Sequence, residues 1–151
     1  MKVMQKIEQQ QSLGHLTGLA SRLFNRLLTQ RFKQAGIDMT AEQWGVIVVL
    51  SGSEALTQSQ ICELLYLEKS SVSRSVDGLE RRGWIVRKRA PHDSRSKLVE
   101  LTEQSHEAVE KCTQIARSVL DDAQKGVDSE VLVDSKRQLS QVISNLRTLN
   151  H

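Results

Sequence analysis

Between residues 57 and 102 the chain passes from a helical hydrophobic period to a two-residue one, and the order of that passage leaves few folds open. Thr57 with Gln60 forms a capping-box signature ahead of Ile61, Leu64 and Leu65, so a short helix is expected there, ending at Tyr66 or Leu67. A second helix is expected over residues 69–82, closed by Gly83, because a residue without a Cβ suits the left-handed position after a helix. Beyond Gly83 the pattern alternates. Residues 84–89 and 97–102 read as antiparallel strands joined through Ala90, Pro91, His92, Asp93, Ser94, Arg95 and Ser96.

The second helix has two chemically different faces. At helical spacing Val72, Val76 and Leu79 share one narrow arc, while Ser70, Ser73, Arg74, Asp77 and Arg81 lie opposite. Residues 69–97 hold nine Lys or Arg against three Asp or Glu, a local balance of +6 in a chain whose total is +3. Positive charge gathered in this way suits a phosphate backbone. Short hydroxyls let a helix approach a major groove closely, and an arginine among them can bond a guanine edge or a phosphate. In the hairpin, Arg87, Lys88, Arg89, Arg95 and Lys97 make a basic wing, and an arginine at its tip suits a narrow minor groove. Asp93 would repel phosphate, so it is expected to bond backbone groups of the turn or to hold the Arg95 guanidinium. A solvated charged face and a generic Asx turn are the plainer alternatives. The reading is a winged helix-turn-helix.

On either side the period is helical. Leu13, Leu16, Leu19, Leu23, Phe24, Leu27, Leu28 and Phe32 form a wide stripe ending near Gly36. Thr40 with Gln43 is a second capping box, opening a helix through Trp44, Val46, Ile47, Val49 and Leu50 that stops near Gly52. Its nearly all-round apolar character implies burial. Toward the C-terminus Ala108, Cys112, Ile115 and Val119, then Leu132, Leu139, Val142, Leu146 and Leu149, mark two amphipathic helices flanking Gly126, with Asp128 as N-cap of the second. Their apolar faces, with that of the first helix, exceed what one small winged helix covers, so a second subunit is expected; an intrachain helical hairpin is the alternative. A two-fold dimer would place two reading helices for successive major grooves, about 34–36 Å apart. The expected fold is mainly α with a small β-hairpin. It comprises an N-terminal dimerisation helix (1–36), a winged helix-turn-helix (37–102) and C-terminal dimerisation helices (103–151), intertwined as one domain.

Several functions are disfavoured. No apolar run approaches a membrane span, and residues 1–11 are too polar for a signal peptide, so no membrane partner and a cytoplasmic location are expected. Only Phe24, Phe32, Trp44, Tyr66 and Trp84 could stack on unpaired bases, which disfavours single-stranded nucleic acid. No Ser/His/Asp order, glycine-rich phosphate loop or paired carboxylates can be assembled, so neither enzyme activity nor a cofactor is expected. His15, His92, His106 and His151 lack metal-ligand spacing. Cys62 and Cys112 fall in apolar helical patterns and read as core residues, with a redox-sensing thiol as the alternative.

The segments Leu56-Thr57-Gln58-Ser59-Gln60-Ile61, Ser70-Ser71-Val72-Ser73-Arg74, Leu79-Glu80-Arg81-Arg82-Gly83-Trp84 and Pro91-His92-Asp93-Ser94-Arg95 resemble the MarR family of bacterial regulators. The likeness extends over nearly the whole chain and is most specific in the wing. It implies that Ser70, Ser71, Ser73 and Arg74 face the major groove and that Gln58, Ser59 and Lys69 approach phosphates. Arg95 would enter the minor groove from a wing that also offers Arg89 and Lys97, with Asp93 as its brace. Tyr66 stands where members often place glycine, Glu68 where aspartate often caps, and Ser105 where a glycine often follows the wing. The metal-sensing branch would need histidines near Gln43 and Glu110, where His106 alone is in reach, and the peroxide-sensing branch a cysteine in the first helix, which has none. By resemblance the chain is a regulator of transcription binding a pseudo-palindromic operator as a homodimer, a repressor released by a small aromatic or phenolic effector. Family effector pockets point toward His15, Arg22 and Trp44, none of which is assigned as a site. A winged helix in which Arg74 and Arg95 meet an acidic protein, or a non-specific DNA coat, are the competing readings.

Overall fold

The computed structural model describes residues 8–52 and 54–151, with the side chain of Ser94 excepted; the start of the polar N-terminal stretch lies outside the described residues. Helix α1 spans Leu13–Gln34 and α2 Ala41–Ser51; strand β1 is Leu56–Thr57, followed by α3, Gln58–Leu65, and α4, Lys69–Arg81. Strands β2, Ile85–Ala90, and β3, Asp93–Leu101, lead through a 3-10 turn at Glu103–Ser105 to α5, His106–Ala123, and α6, Ser129–Leu149. One compact unit ends at Val119 and a second runs Leu120–His151.

The caps form as their spacing requires. Thr40 N–H donates to Gln43 Oε1 at 3.2 Å while Gln43 N–H donates to Thr40 Oγ at 3.0 Å. Thr57 and Gln60 repeat the exchange at 2.9 and 3.1 Å, fixing the start of α3. Helix α3 ends on Tyr66 in the left-handed conformation, φ 52°. Glu68 precedes α4 without a side-chain capping bond. Gly83 takes φ +79° and turns the chain from α4 toward β2.

Helix α4 packs on α2, α3 and β2. Its Val72, Val76 and Leu79 are fully buried, joining Phe32, Val46, Ile47, Ile61, Ile85 and Val99 in one core. Each such aliphatic side chain contributes about 1.5–3 kcal/mol on burial, so this face of α4 anchors the helix and leaves the opposite face available. Ser75 is also buried, its hydroxyl bonded to Glu42 Oε1 at 3.1 Å.

The sheet has three strands in the order β1-β3-β2, all antiparallel. The hairpin was expected; β1 was not, since a two-residue strand is too short to show a period, and it exists through pairing with Leu98 and Val99. The hairpin loop is also shorter than its sequence suggests. β3 begins at Asp93, and only Pro91 and His92 connect it to Ala90. Neither has a positive φ, so the turn lacks the twist of the primed hairpin types, and the mismatch is absorbed by an irregularity. Ala90 pairs with Asp93 and Arg89 with Lys97, leaving residues 94–96 in excess on β3.

After the wing, Thr102 N–H bonds Trp84 O at 3.1 Å, and buried Ser105 bonds Thr102 O through its hydroxyl at 2.7 Å. The serine standing at the family's glycine position thus closes the 3-10 turn that opens α5. Within the first unit, Cys112 and Val119 of α5 are buried and Val109 and Ile115 lie against the core. That stretch of the expected dimerisation face is therefore covered within its own chain. Leu13, Leu16, Leu19 and Leu23 of α1 remain 40–60% exposed. In the second unit Asp128 caps α6 by accepting from Glu130 and Val131 N–H at 2.9 and 3.2 Å, yet no α6 residue is buried. Val131, Val133, Ile143, Leu146 and Leu149 are 45–79% exposed. Among the described residues no helix is long and apolar enough to cross a membrane.

Candidate nucleic-acid interface

The face of α4 opposite its buried valines presents Ser70 and Arg74 to solvent, with Ser71 and Ser73 half-buried at its sides, and Lys69 is exposed at the start of the helix. Gln58 and Ser59 form the first turn of α3, where the backbone N–H groups of a helix start lack intrahelical acceptors. A cavity of about 230 Å³ brings that turn to the wing, lined by Thr57, Gln58, Ser59, Arg95, Ser96 and Lys97. Residues 37 positions apart in sequence thus border one space.

Asp93 braces the wing through the backbone. Its carboxylate accepts the Arg95 N–H at 3.0 Å and the Ser96 hydroxyl at 3.4 Å, which ties down the excess residues of β3. The Arg95 guanidinium has no ion pair among the described residues, and neither have Arg74, Arg89 and Lys97; all four side chains are exposed. Arg95 itself lies on the irregular start of β3, beside the tip rather than on it, because Pro91 and His92 occupy the turn.

Two cations counted in the basic wing are committed elsewhere. Lys88 pairs with Glu100 across the strands. Arg87 turns inward to Asp77, Glu80 and Gln58, so Gln58, expected at phosphates, also accepts the Arg87 Nε–H at 3.2 Å. The clue was present in the alternation, since Arg87 shares a strand face with Ile85. Arg82 is a further residue that sequence reasoning passed over. At the end of α4 it reaches Asp38 at 3.2 Å and Gln43 Oε1 at 2.6 Å, tying α4 to the start of α2.

Of the residues near the family's effector pockets, His15 and Arg22 are exposed, while Trp44 is half-buried and meets Phe32 edge-on at 5.8 Å between ring centres. Cys62 is half-buried against the core and Cys112 fully buried, both as free thiols. Burial pushes the Cys112 thiol up to about 11, with Lys111 opposing weakly. Such a thiol is protonated and unreactive near neutrality.

A buried-core helix pair, with a small polar face on α4, and a braced basic hairpin together define a winged helix-turn-helix protein. The comparisons with known proteins agree. A sequence model of the MarR family matches residues 37–96. The chain is 29% identical to the organic hydroperoxide resistance transcriptional regulator of Bacillus subtilis over 128 residues, 83% of this chain and 84% of that protein. It is 28% identical to the multiple antibiotic resistance protein MarR of Escherichia coli over 103 residues, 68% of this chain and 70% of that one. Among solved structures, a cysteine-to-serine mutant of MarR from Escherichia coli complexed with operator DNA superposes with TM-score 0.76 at 24% identity, covering 86% of this chain and 92% of that one. A probable transcriptional regulator from Pseudomonas aeruginosa superposes with TM-score 0.76 at 22% identity, covering 87% and 97%. Residues 37–96 thus carry the MarR-family sequence pattern, and the curated relatives that match most of the chain are regulators of that kind.

Proposed function

We propose that the chain is a homodimeric regulator that binds duplex DNA at a pseudo-palindromic operator in the cytoplasm. The Ser70, Ser71, Ser73 and Arg74 face of α4 enters the major groove, Lys69, Gln58 and Ser59 meet phosphates, and Arg95, flanked by Arg89 and Lys97, reaches the minor groove. The observation carrying this reading is the space where the first turn of α3 meets Arg95 and Lys97. Helix-start N–H groups and two cations converge there, which is what a phosphate oxygen needs. The relative MarR of Escherichia coli, solved with operator DNA, supports it. Exposed leucines along α1 and the unburied apolar face of α6 support a second subunit.

Repression follows where the occupied operator excludes transcription, and the chain acts by binding rather than turnover. Release by a small aromatic or phenolic molecule requires that it favour the geometry that cannot hold DNA, each tenfold needing about 1.4 kcal/mol of preference. A cavity of about 520 Å³ borders Arg82, Gly83, Trp84, Thr102, Gln104, Ser105 and Ala108. It joins the end of the reading helix to the segment after the wing, so an occupant beside Trp84 would alter their relation.

The test is titration of the purified protein against its own upstream DNA and a scrambled duplex, at two salt concentrations. Preference for the upstream DNA that persists at the higher salt supports the regulator; equal binding lost with salt leaves a non-specific coat. Arg95→Ala should weaken binding, and unchanged affinity would shift weight to an acidic protein partner.

A further inference from the structure

Arg87 occupies an inward-facing position of β2. Its cross-strand partner Val99 is fully buried and Ile85, two residues earlier on the same face, nearly so. A guanidinium there needs partners for its donors, because a charge removed from water without them is costly. It finds them on two other elements: Nε donates to Gln58 Oε1 at 3.2 Å, Nη1 to Glu80 Oε1 at 3.1 Å and Nη2 to Asp77 Oδ1 at 2.5 Å. The Arg87 backbone N–H takes the other Glu80 oxygen at 3.2 Å. The Arg87 side chain is 17% exposed, against 52% for Asp77 and 39% for Glu80.

Asp77 shares the polar face of α4 with Ser70, Ser73 and Arg74, and Glu80 follows nearly one turn later. Carboxylates there oppose the approach of a phosphate backbone. Resting on the duplex-binding reading above, we propose that Arg87 is a positioning residue for DNA binding. It screens Asp77 and Glu80 from the phosphates and holds the wing strand, the reading helix and Gln58 in one arrangement, without itself touching DNA.

The test uses Arg87→Met, which keeps an unbranched apolar stem without the guanidinium and suits the inward site, and Arg87→Lys, which keeps charge but lacks the three-way fork. Binding to the upstream duplex is measured across salt concentrations, with thermal unfolding as the check on folding. Arg87→Met should bind roughly tenfold more weakly, equivalent to about 1.4 kcal/mol, and Arg87→Lys should be intermediate. Adding Asp77→Asn and Glu80→Gln to Arg87→Met should restore affinity to within about threefold of wild type, because no carboxylate then needs screening. The loss in Arg87→Met should shrink as salt rises, because repulsion between exposed carboxylates and phosphates is screened, and the triple variant should recover the wild-type salt slope. Loss of a direct phosphate contact would leave the slope lowered by about 0.9 in the triple variant too. Wild-type affinity in a folded Arg87→Met, a salt slope still lowered in the triple variant, or no recovery of affinity in the triple variant each overturns the proposal. If Arg87→Met does not fold, the triple variant decides, and tenfold weaker binding by it is a refutation. Unchanged Arg87→Met beside normal wild-type binding removes this inference alone. Failure of the wild type to bind either duplex removes the regulator reading and this inference with it.

Discussion

Replacing Gly78 by alanine sets two effects of opposite sign against each other. Gly78 lies inside α4, where alanine is favoured over glycine by about 0.5–1 kcal/mol because it has less backbone freedom to lose. A Cβ there would stand 2.9 Å from Gln43 Nε2, whereas ordinary contact begins at 3.4 Å. The amide must therefore retreat by about half an ångström, and that amide is already engaged twice. Its Oε1 accepts the Thr40 N–H at 3.2 Å and an Arg82 N–H at 2.6 Å. A matching shift takes the capping bond to roughly 3.7 Å, beyond hydrogen-bond range. Losing the capping bond and weakening the Arg82 contact removes about 0.5–1.5 kcal/mol each, which outweighs the helical gain by about 1 kcal/mol. Gly78→Ala should accordingly lower Tm by about 2–4 °C in a chain of this length. In a Gln43→Ala background the obstruction is gone, and the same change should stabilise by about 0.5–1 kcal/mol. A double-mutant cycle of thermal or urea unfolding measures both. Equal stabilisation by Gly78→Ala in the two backgrounds would refute the reasoning.

Three further perturbations test other parts of the fold. Thr57→Ala removes the acceptor of the Gln60 N–H at the start of α3 and should cost about 1 kcal/mol, read as a lower urea midpoint with unchanged slope. Tyr66→Gly should stabilise by about 0.5–1 kcal/mol, because a left-handed residue with an exposed side chain loses little packing and sheds its strain; a fall in Tm would contradict this. Cys112, with its thiol pushed up to about 11 from an ordinary 9.0, should resist iodoacetamide at neutral pH until the protein unfolds, with mass spectrometry as the readout. The sign of its pH effect follows: between pH 9 and 11 the unfolded thiol ionises while the buried one does not, so stability falls across that window. Cys112→Val should flatten this alkaline limb, and an unchanged limb would assign it to other groups.

Much of this architecture was legible in the order of residues, because it depends on partners three or four positions apart. The Thr40–Gln43 and Thr57–Gln60 exchanges, the turn at Gly83, the Asp128 cap and the buried valine arc of α4 are of that kind. Asp93 as the wing's brace was likewise readable, since its partners are two and three residues away. What only the tertiary structure decided involves partners far along the chain. β1 is a strand because Leu98 and Val99 come to lie beside it, and Arg95 sits beside the hairpin tip because the register slips at Arg89 and Ala90. Counting charges could not separate Arg87 and Lys88, which carboxylates neutralise, from Arg89, Arg95 and Lys97, which have no ion pair among the described residues. Local sequence sets which conformations each segment prefers, whereas the pairing of a charge or the need for a glycine at position 78 arises only once packed helices bring Asp77, Glu80 and Gln43 within bonding distance.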